Sequence, residues 1–330
     1  MNRIRAFVSD SDLVQPLGYR LLASPPLNAN RLYRALYSRR IRTVQAARAA
    51  AFPRVVAVEG TNRCNAACVM CGHRNMTRPQ GVMEWPLYEG IIAQSSSWPV
   101  ELLLLSGFGE PLCDPDLVKR VAAAKAAGIR MTGIVTNAAL LDGATAKELT
   151  AAGLGLIHVS LDGASPETYN RLRGSLDFNA VAANLDALVR MKPRPAVHIQ
   201  MVLFKSNRRD ADRIRRRWGG KADRIIFRQA QDWAGQVDIP ETGYTPHTET
   251  HRSWPPCRYL WDQLNIYWDG AAPACCLDYE ARQTVGNAAK QTLRDIWQGG
   301  ALAEIRRKHK AGERDSAALC RQCRYFSIWW

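Results

Sequence analysis

Between residues 55 and 227 short apolar runs alternate with helix-length segments, and this alternation constrains the fold more tightly than any other feature of the chain. The runs at 55–58, 102–105, 129–135, 156–161, 197–204 and 225–227 read as buried strands. Helix-length segments fall between them at 86–94, 116–127, 144–152, 180–191 and 208–218. Pro86 suits a first helical turn, where its missing N–H has no intrahelical partner to lose, and Gly128 and Gly153 suit the position just past a helix end. A repeat of about thirty residues per unit implies parallel strands joined by right-handed crossovers. Six units fit before residue 230, whereas a closed eight-unit barrel takes about 250 residues. The expected fold is α/β, a partial (β/α)6 TIM-like barrel with its chemistry in the loops beyond the strands' C-terminal ends.

Nine cysteines decide what kind of chemistry that is: Cys64, Cys68, Cys71, Cys113, Cys257, Cys275, Cys276, Cys320 and Cys323. The opening MNRIRAFVSDSD lacks the apolar stretch of a secretory signal. An odd number of cysteines in such a chain argues for metal or reactive-thiol chemistry over a disulfide framework. No apolar run approaches the ~18 residues of a membrane span, so a cytoplasmic protein with no membrane partner is expected. Cys64, Cys68 and Cys71 follow the first strand as C-x3-C-x2-C. Three thiols so spaced can hold one face of an iron–sulfur cube and leave the fourth iron open to a small-molecule chelator. The competing reading is a zinc knuckle or incidental buried thiols, but zinc sites usually draw two ligands from each of two hairpins.

Charge is less informative. The net +15 reflects 36 Arg against 9 Lys, with basic stretches at 31–48 and 208–217. Such an excess permits nucleic acid, an anionic substrate or an acidic partner. Neither stretch interleaves aromatics as a single-strand platform does, so solvated helix faces are the simpler reading and nucleic acid is not an expected partner.

The Cys64, Cys68, Cys71 triplet resembles the signature of the radical S-adenosylmethionine (SAM) enzymes. The resemblance implies that the open iron binds the amino and carboxylate groups of SAM. Electron transfer then cleaves SAM to methionine and a 5′-deoxyadenosyl radical, which abstracts hydrogen from substrate. The position before the third cysteine, often aromatic in the family, is Met70, which the resemblance places beside the adenine. Ser106-Gly107-Phe108-Gly109-Glu110-Pro111, after the second strand, is similar to the family's GGEP-type motif that holds the methionine ammonium. Gly107 and Gly109 would let the backbone approach closely, and Glu110 would accept. Thr136 and Asn137 end the third strand at the same mouth. Ser160 and Asp162 resemble ribose and methionine contacts, and Arg173 resembles the arginine that pairs with the methionine carboxylate through its planar fork. Each residue alone fits a turn or a helix surface equally well. Their order at successive strand ends carries the resemblance.

The later cysteines follow C-x12-G-x4-C from Cys257 through Gly270 to Cys275, then Cys320 and Cys323. This resembles the SPASM or twitch extension of radical SAM enzymes, which houses auxiliary iron–sulfur clusters, and residues 284–308 resemble its helical connector. Longer members use seven cysteines for two clusters; four suffice for one. The resemblance therefore implies SAM and two [4Fe-4S] clusters, one SAM-binding and one auxiliary, although four cysteines also suit a structural zinc. Either Cys275 or Cys276 could ligate, with the spacing favouring Cys275. The implied organisation is a basic, mostly helical extension at 1–53, a radical SAM partial barrel at 54–232, a linker at 233–256 and a small iron–sulfur domain at 257–330.

The resemblance implies an oxidoreductase or epimerase acting on a carbinol carbon of a sugar or aminocyclitol, of the kind used in antibiotic and other natural-product biosynthesis. Its one-electron reductant would be external, a flavodoxin or ferredoxin. Cys276 and Cys113 are the candidate hydrogen-atom donors for epimerisation. The second reading is a maturase that crosslinks or epimerises a ribosomally made peptide. Such enzymes often carry a leader-binding domain of about eighty residues, for which residues 1–50 are short and arginine-rich.

Overall fold

A computed structural model describes residues 39, 42–49, 51–239 and 256–323. Most of the expected N-terminal extension, at 1–38, 40–41 and 50, and most of the expected linker, at 240–255, lie outside the described residues.

Six parallel strands follow in order: β1 (Val55–Val58), β2 (Leu102–Leu105), β3 (Thr132–Thr136), β4 (Leu156–Ser160), β5 (Ala196–Leu203) and β6 (Arg224–Gln229). The crossovers carry α1 (Trp85–Ser96), α2 (Leu117–Ala126), α3 (Gly143–Ala151), α4 (Pro166–Arg173), α5 (Phe178–Arg190) and α6 (Asp210–Trp218). Periodicity explains the layering. In α5, Phe178, Val181, Ala182, Leu185, Leu188 and Val189 are buried at three- and four-residue spacing, and the Asp177 carboxylate caps the first turn by accepting from Asn179 N–H at 2.9 Å. In β4 and β5, Ile157, Val159, Val197, Ile199 and Met201 are buried in the main core with the helices, while the alternate residues His158, Ser160, His198 and Gln200 are half-buried. The polar side chains therefore line the face turned from the helices.

The sheet has seven strands rather than six, in the order β6-β5-β4-β3-β2-β1-β7. The seventh, β7 (Gln263–Ile266), comes from beyond residue 256 and pairs parallel with β1, Val55 opposite Gln263 and Val58 opposite Ile266. It covers an edge that six strands would leave as a row of unpaired backbone groups. The sheet stays open, with β6 and β7 at its edges. β7 follows the short helix α7 (Tyr259–Asp262) and leads into an antiparallel hairpin of β8 (Ala271–Pro273) and β9 (Thr284–Asn287). Then come α8 (Leu293–Gln298), started by a Thr292–Asp295 capping box, and α9 (Gly300–Ala311). Buried Trp297 fastens this region to the barrel by donating to the Ala51 carbonyl at 2.7 Å, while Arg306 stacks 4.3 Å over its ring. Among the described residues no helix is long and apolar enough to cross a membrane.

Candidate functional site

The first three cysteines lie on the loop leaving β1 at the sheet's C-terminal edge, held there by the neighbouring strand ends and by α4. Glu110 N–H donates to the Arg63 carbonyl (2.9 Å), Val69 N–H to the Leu172 carbonyl (3.0 Å), and Asn137 Nδ2 to Asn65 Oδ1 (2.8 Å). Gly107 and Gly109 face this loop closely. A Cβ on Gly109 would fall 2.3 Å from the Thr61 carbonyl oxygen, and one on Gly107 would fall 2.5 Å from Glu59 Cγ. These glycines thus admit the cysteine loop itself against the end of β2.

Cys68 is buried and Cys64 and Cys71 half-buried, near enough for their charges to oppose one another. Burial first, then Glu110 and the neighbouring thiols, push Cys64 up to about 12, and burial and then Cys68 push Cys71 up to about 11. Thiolates there need a positive partner, as iron is, so the donor set fits a cluster. Arg173, at the end of α4, points Nη1 at Cys68 Sγ (3.6 Å) and pairs through Nη2 with Asp162 (2.5 Å). Its Nε is buried without a protein acceptor, a vacancy in hydrogen bonding that a ligand carboxylate would fill. Asp162 also accepts from Val202 N–H at 2.7 Å, which commits it to protein partners. Glu110 is fully engaged as well: it accepts from Thr136 Oγ1 (2.6 Å), Asn137 N–H (2.8 Å) and Leu112 N–H (3.2 Å), while burial raises its carboxyl pKa. Ser160 closes β4, half-buried, at the same edge of the sheet.

The second group gathers around Cys320, whose thiol burial pushes well above its ordinary range, with Cys275, Cys257 and Cys323 adding to the rise. These four come from the start of α7, the β8–β9 hairpin and the chain beyond α9. The charge of Cys275 is among those that raise Cys320. Cys276, like Cys275, packs against the apolar cluster of Ala234, Leu277, Leu319 and Cys323. Among the described residues no three His, Cys, Asp or Glu side chains close on a single metal ion. An iron–sulfur cube asks for no such point, since each thiolate binds a different iron.

The radical SAM superfamily pattern matches residues 58–217, and the iron–sulfur cluster-binding SPASM pattern matches residues 257–324. Residues 58–217 are a radical SAM domain and residues 257–324 a SPASM domain. In sequence it is 34% identical over 145 residues to a probable GTP 3′,8-cyclase of Methanothermobacter thermautotrophicus, a match spanning 44% of this chain and 47% of that protein. The chain thus spans about half the length of that relative. In fold it resembles BtrN, solved with AdoMet (SAM) and 2-DOIA, with a TM-score of 0.61 and 18% identity over 84% of this chain and 95% of BtrN. It also resembles Streptococcus suis SuiB bound to precursor peptide SuiA, with a TM-score of 0.66 and 17% identity over 84% of this chain and 72% of SuiB. The radical SAM and SPASM domains bring SAM and two kinds of [4Fe-4S] cluster, SAM-binding and auxiliary.

Where the radical SAM barrel meets the SPASM domain, the structure shows residues that sequence reasoning missed. Glu59, buried at the end of β1, accepts from Phe108 N–H (2.9 Å) and pairs with Arg78 (3.2 Å). Arg78 donates from Nε to the Tyr279 carbonyl (2.7 Å) and lies 4.0 Å over the Tyr267 ring. Phe108, Trp233, Tyr267 and Tyr279 form an aromatic wall, and Trp233 Nε1 donates to the Met70 carbonyl (2.6 Å). Met70 is buried in this group beside Cys68. The one signal for the pair was an acidic residue directly after a strand in a cysteine loop that also carries an arginine. Cys113 ends the turn Pro111–Cys113, its sulfur accepting from the Asn65 backbone, with burial and then Glu110 raising its thiol pKa.

Proposed function

We propose that this radical SAM/SPASM enzyme oxidises a carbinol carbon of a hydroxyl-rich small molecule, with Cys64, Cys68 and Cys71 holding the SAM-binding cluster and Cys257, Cys275, Cys320 and Cys323 the auxiliary one. The observation that carries the reading is a second gathering of cysteines, with Cys275 and Cys323 in one apolar cluster and the Cys257 N–H and Cys320 Sγ both against His309, a place for one dedicated electron acceptor. When bound, SAM and its cluster supply the radical that removes hydrogen. The chain's own residues position it: Arg173 offers its unpartnered Nε–H toward the methionine carboxylate, and Asp162 aims that guanidinium. Glu110 fixes Thr136 and Asn137, so these three hold the cysteine loop against the strand ends. Gly107, Gly109 and Ser160 shape the rim, and Met70 forms part of its apolar wall.

The polar face of the sheet supports a hydroxylated substrate. His158 and His198 pack edge to face at 4.8 Å, and Arg228 Nε donates to Gln200 Oε1 at 2.8 Å. Burial first, then His198, Arg228 and Arg224, push His158 down to about 4, so it stays neutral and offers hydrogen bonds at neutral pH. The arginines on this face disfavour an ammonium group, so a sugar suits it better than an aminocyclitol. The external reductant is a flavodoxin- or ferredoxin-type protein. The likeness to peptide-bound SuiB supports a second reading, maturation of a ribosomally made peptide.

Turnover in deuterated water separates these courses. A sugar-derived ketone without solvent deuterium at the reacting carbon is the expected product. An inverted carbon carrying one deuterium, lost in Cys276→Ala or Cys113→Ala while SAM cleavage continues, would assign epimerisation with a thiol donor. Turnover of a peptide and of no sugar would replace the leading reading with the second.

A further inference from the structure

We infer that His309 is a built-in hydrogen-bond donor to the auxiliary cluster through Cys320, and that it raises the reduction potential of that cluster. The inference rests on the ligand set proposed above.

His309 lies in the last turn of α9, on the stripe of Leu302, Ile305 and Arg306 that faces the interior, and is 3% exposed. Both ring nitrogens are engaged. Nδ1 lies 3.2 Å from the backbone nitrogen of Cys257, whose N–H can only donate, so Nδ1 is the acceptor and carries no proton. The proton of a neutral imidazole is then on Nε2, which lies 3.3 Å from Cys320 Sγ. One ligand's backbone fixes the tautomer, and the tautomer aims the N–H at another ligand's sulfur. A leucine or phenylalanine would complete the buried stripe without sinking two polar nitrogens into it, so packing alone does not account for a histidine here.

A donor aimed at a cluster sulfur withdraws electron density from the ligand and favours the more negative, reduced state, and such hydrogen bonds are among the levers that set cluster potentials. The auxiliary site is thereby shaped as an electron acceptor, as the oxidising course requires.

The test uses the full chain with Cys64, Cys68 and Cys71 changed to Ala, so that only the auxiliary cluster remains, and an EPR-monitored redox titration. His309→Phe keeps a planar ring but no donor. At a fixed poise its reduced-to-oxidised ratio should fall about tenfold, which is about 59 mV for a one-electron couple. His309→Gln, whose amide can accept from Cys257 N–H and donate to Cys320, should stay near the parent potential. An unchanged potential in a His309→Phe chain that keeps its irons overturns the inference. If His309→Phe loses the cluster, the parent chain labelled with 15N-histidine decides: pulsed EPR of the reduced auxiliary cluster should show a weak nitrogen coupling, and its absence overturns the proposal. The ligand set fails separately. An auxiliary cluster that survives Cys320→Ala would reject it whatever the potential of the His309 variants.

Discussion

Arg173 joins the cysteine loop to the barrel through one guanidinium, with Nη2 on Asp162, Nη1 on Cys68 Sγ and a buried Nε that lacks a protein acceptor. A lysine ammonium at that place can keep the Asp162 pair but cannot present a planar fork to a third group. Arg173→Lys should therefore weaken SAM binding about tenfold, roughly 1.4 kcal/mol, with little change in melting temperature. Calorimetric titration of the cluster-loaded protein checks the affinity; a variant that melts early yet binds SAM normally would make Arg173 a structural residue. At this scale the cysteines were legible in the sequence, because short covalent spacing forces Cys64, Cys68 and Cys71 together wherever the loop goes. Partners were not. That Asp162 and Glu110 spend their carboxylates on Val202, Arg173, Thr136 and Asn137 depends on which strand ends meet, and no local pattern records it. For the same reason no local pattern records that Glu59 lies nearest Gly107 and Thr61 nearest Gly109.

At the scale of elements, the apolar runs placed β1 and β2 to the residue, because four consecutive apolar residues, buried or half-buried throughout, leave little choice. The helix α4 was hidden because its eight residues bury only Tyr169 and Leu172, too few to show a period. β7 was hidden because its sequence QLNI carries two polar residues and its partner β1 lies some two hundred positions earlier. The strand and the hairpin after it are pinned to the cysteine loop by Glu59 and Arg78, whose side chains are 0% and 8% exposed. Removing one partner of a buried ion pair strands the other, at a cost of about 3–5 kcal/mol. Arg78→Met should lower the melting temperature accordingly and speed amide exchange around Tyr279, whose carbonyl Arg78 holds. Exchange mass spectrometry reads this; unchanged protection there would detach Arg78 from the junction.

The whole molecule joins two metal-binding loops across one continuous sheet: the first leaves β1, and the second frames β7 beside it. Under the proposed ligand sets, neighbouring strands carry a site with an open iron and a site closed by four thiols, the arrangement that the proposed oxidation needs. Stripping the metal should destabilise the SPASM region before the barrel, because its two-stranded hairpin and short helices have a small core of their own. Thermal melts of apo and loaded protein, followed by tryptophan fluorescence, check this, and identical melts would contradict it. The central claim is the pairing of an open cluster with a closed one. Its most direct measurement is EPR of the anaerobically reconstituted, dithionite-reduced chain with and without SAM, alongside iron counting. The account predicts about eight irons per chain and two cluster signals, of which SAM shifts only the one abolished by changing Cys64, Cys68 and Cys71 to Ala. About four irons with stoichiometric zinc at Cys257, Cys275, Cys320 and Cys323, or two signals that both respond to SAM, would contradict it.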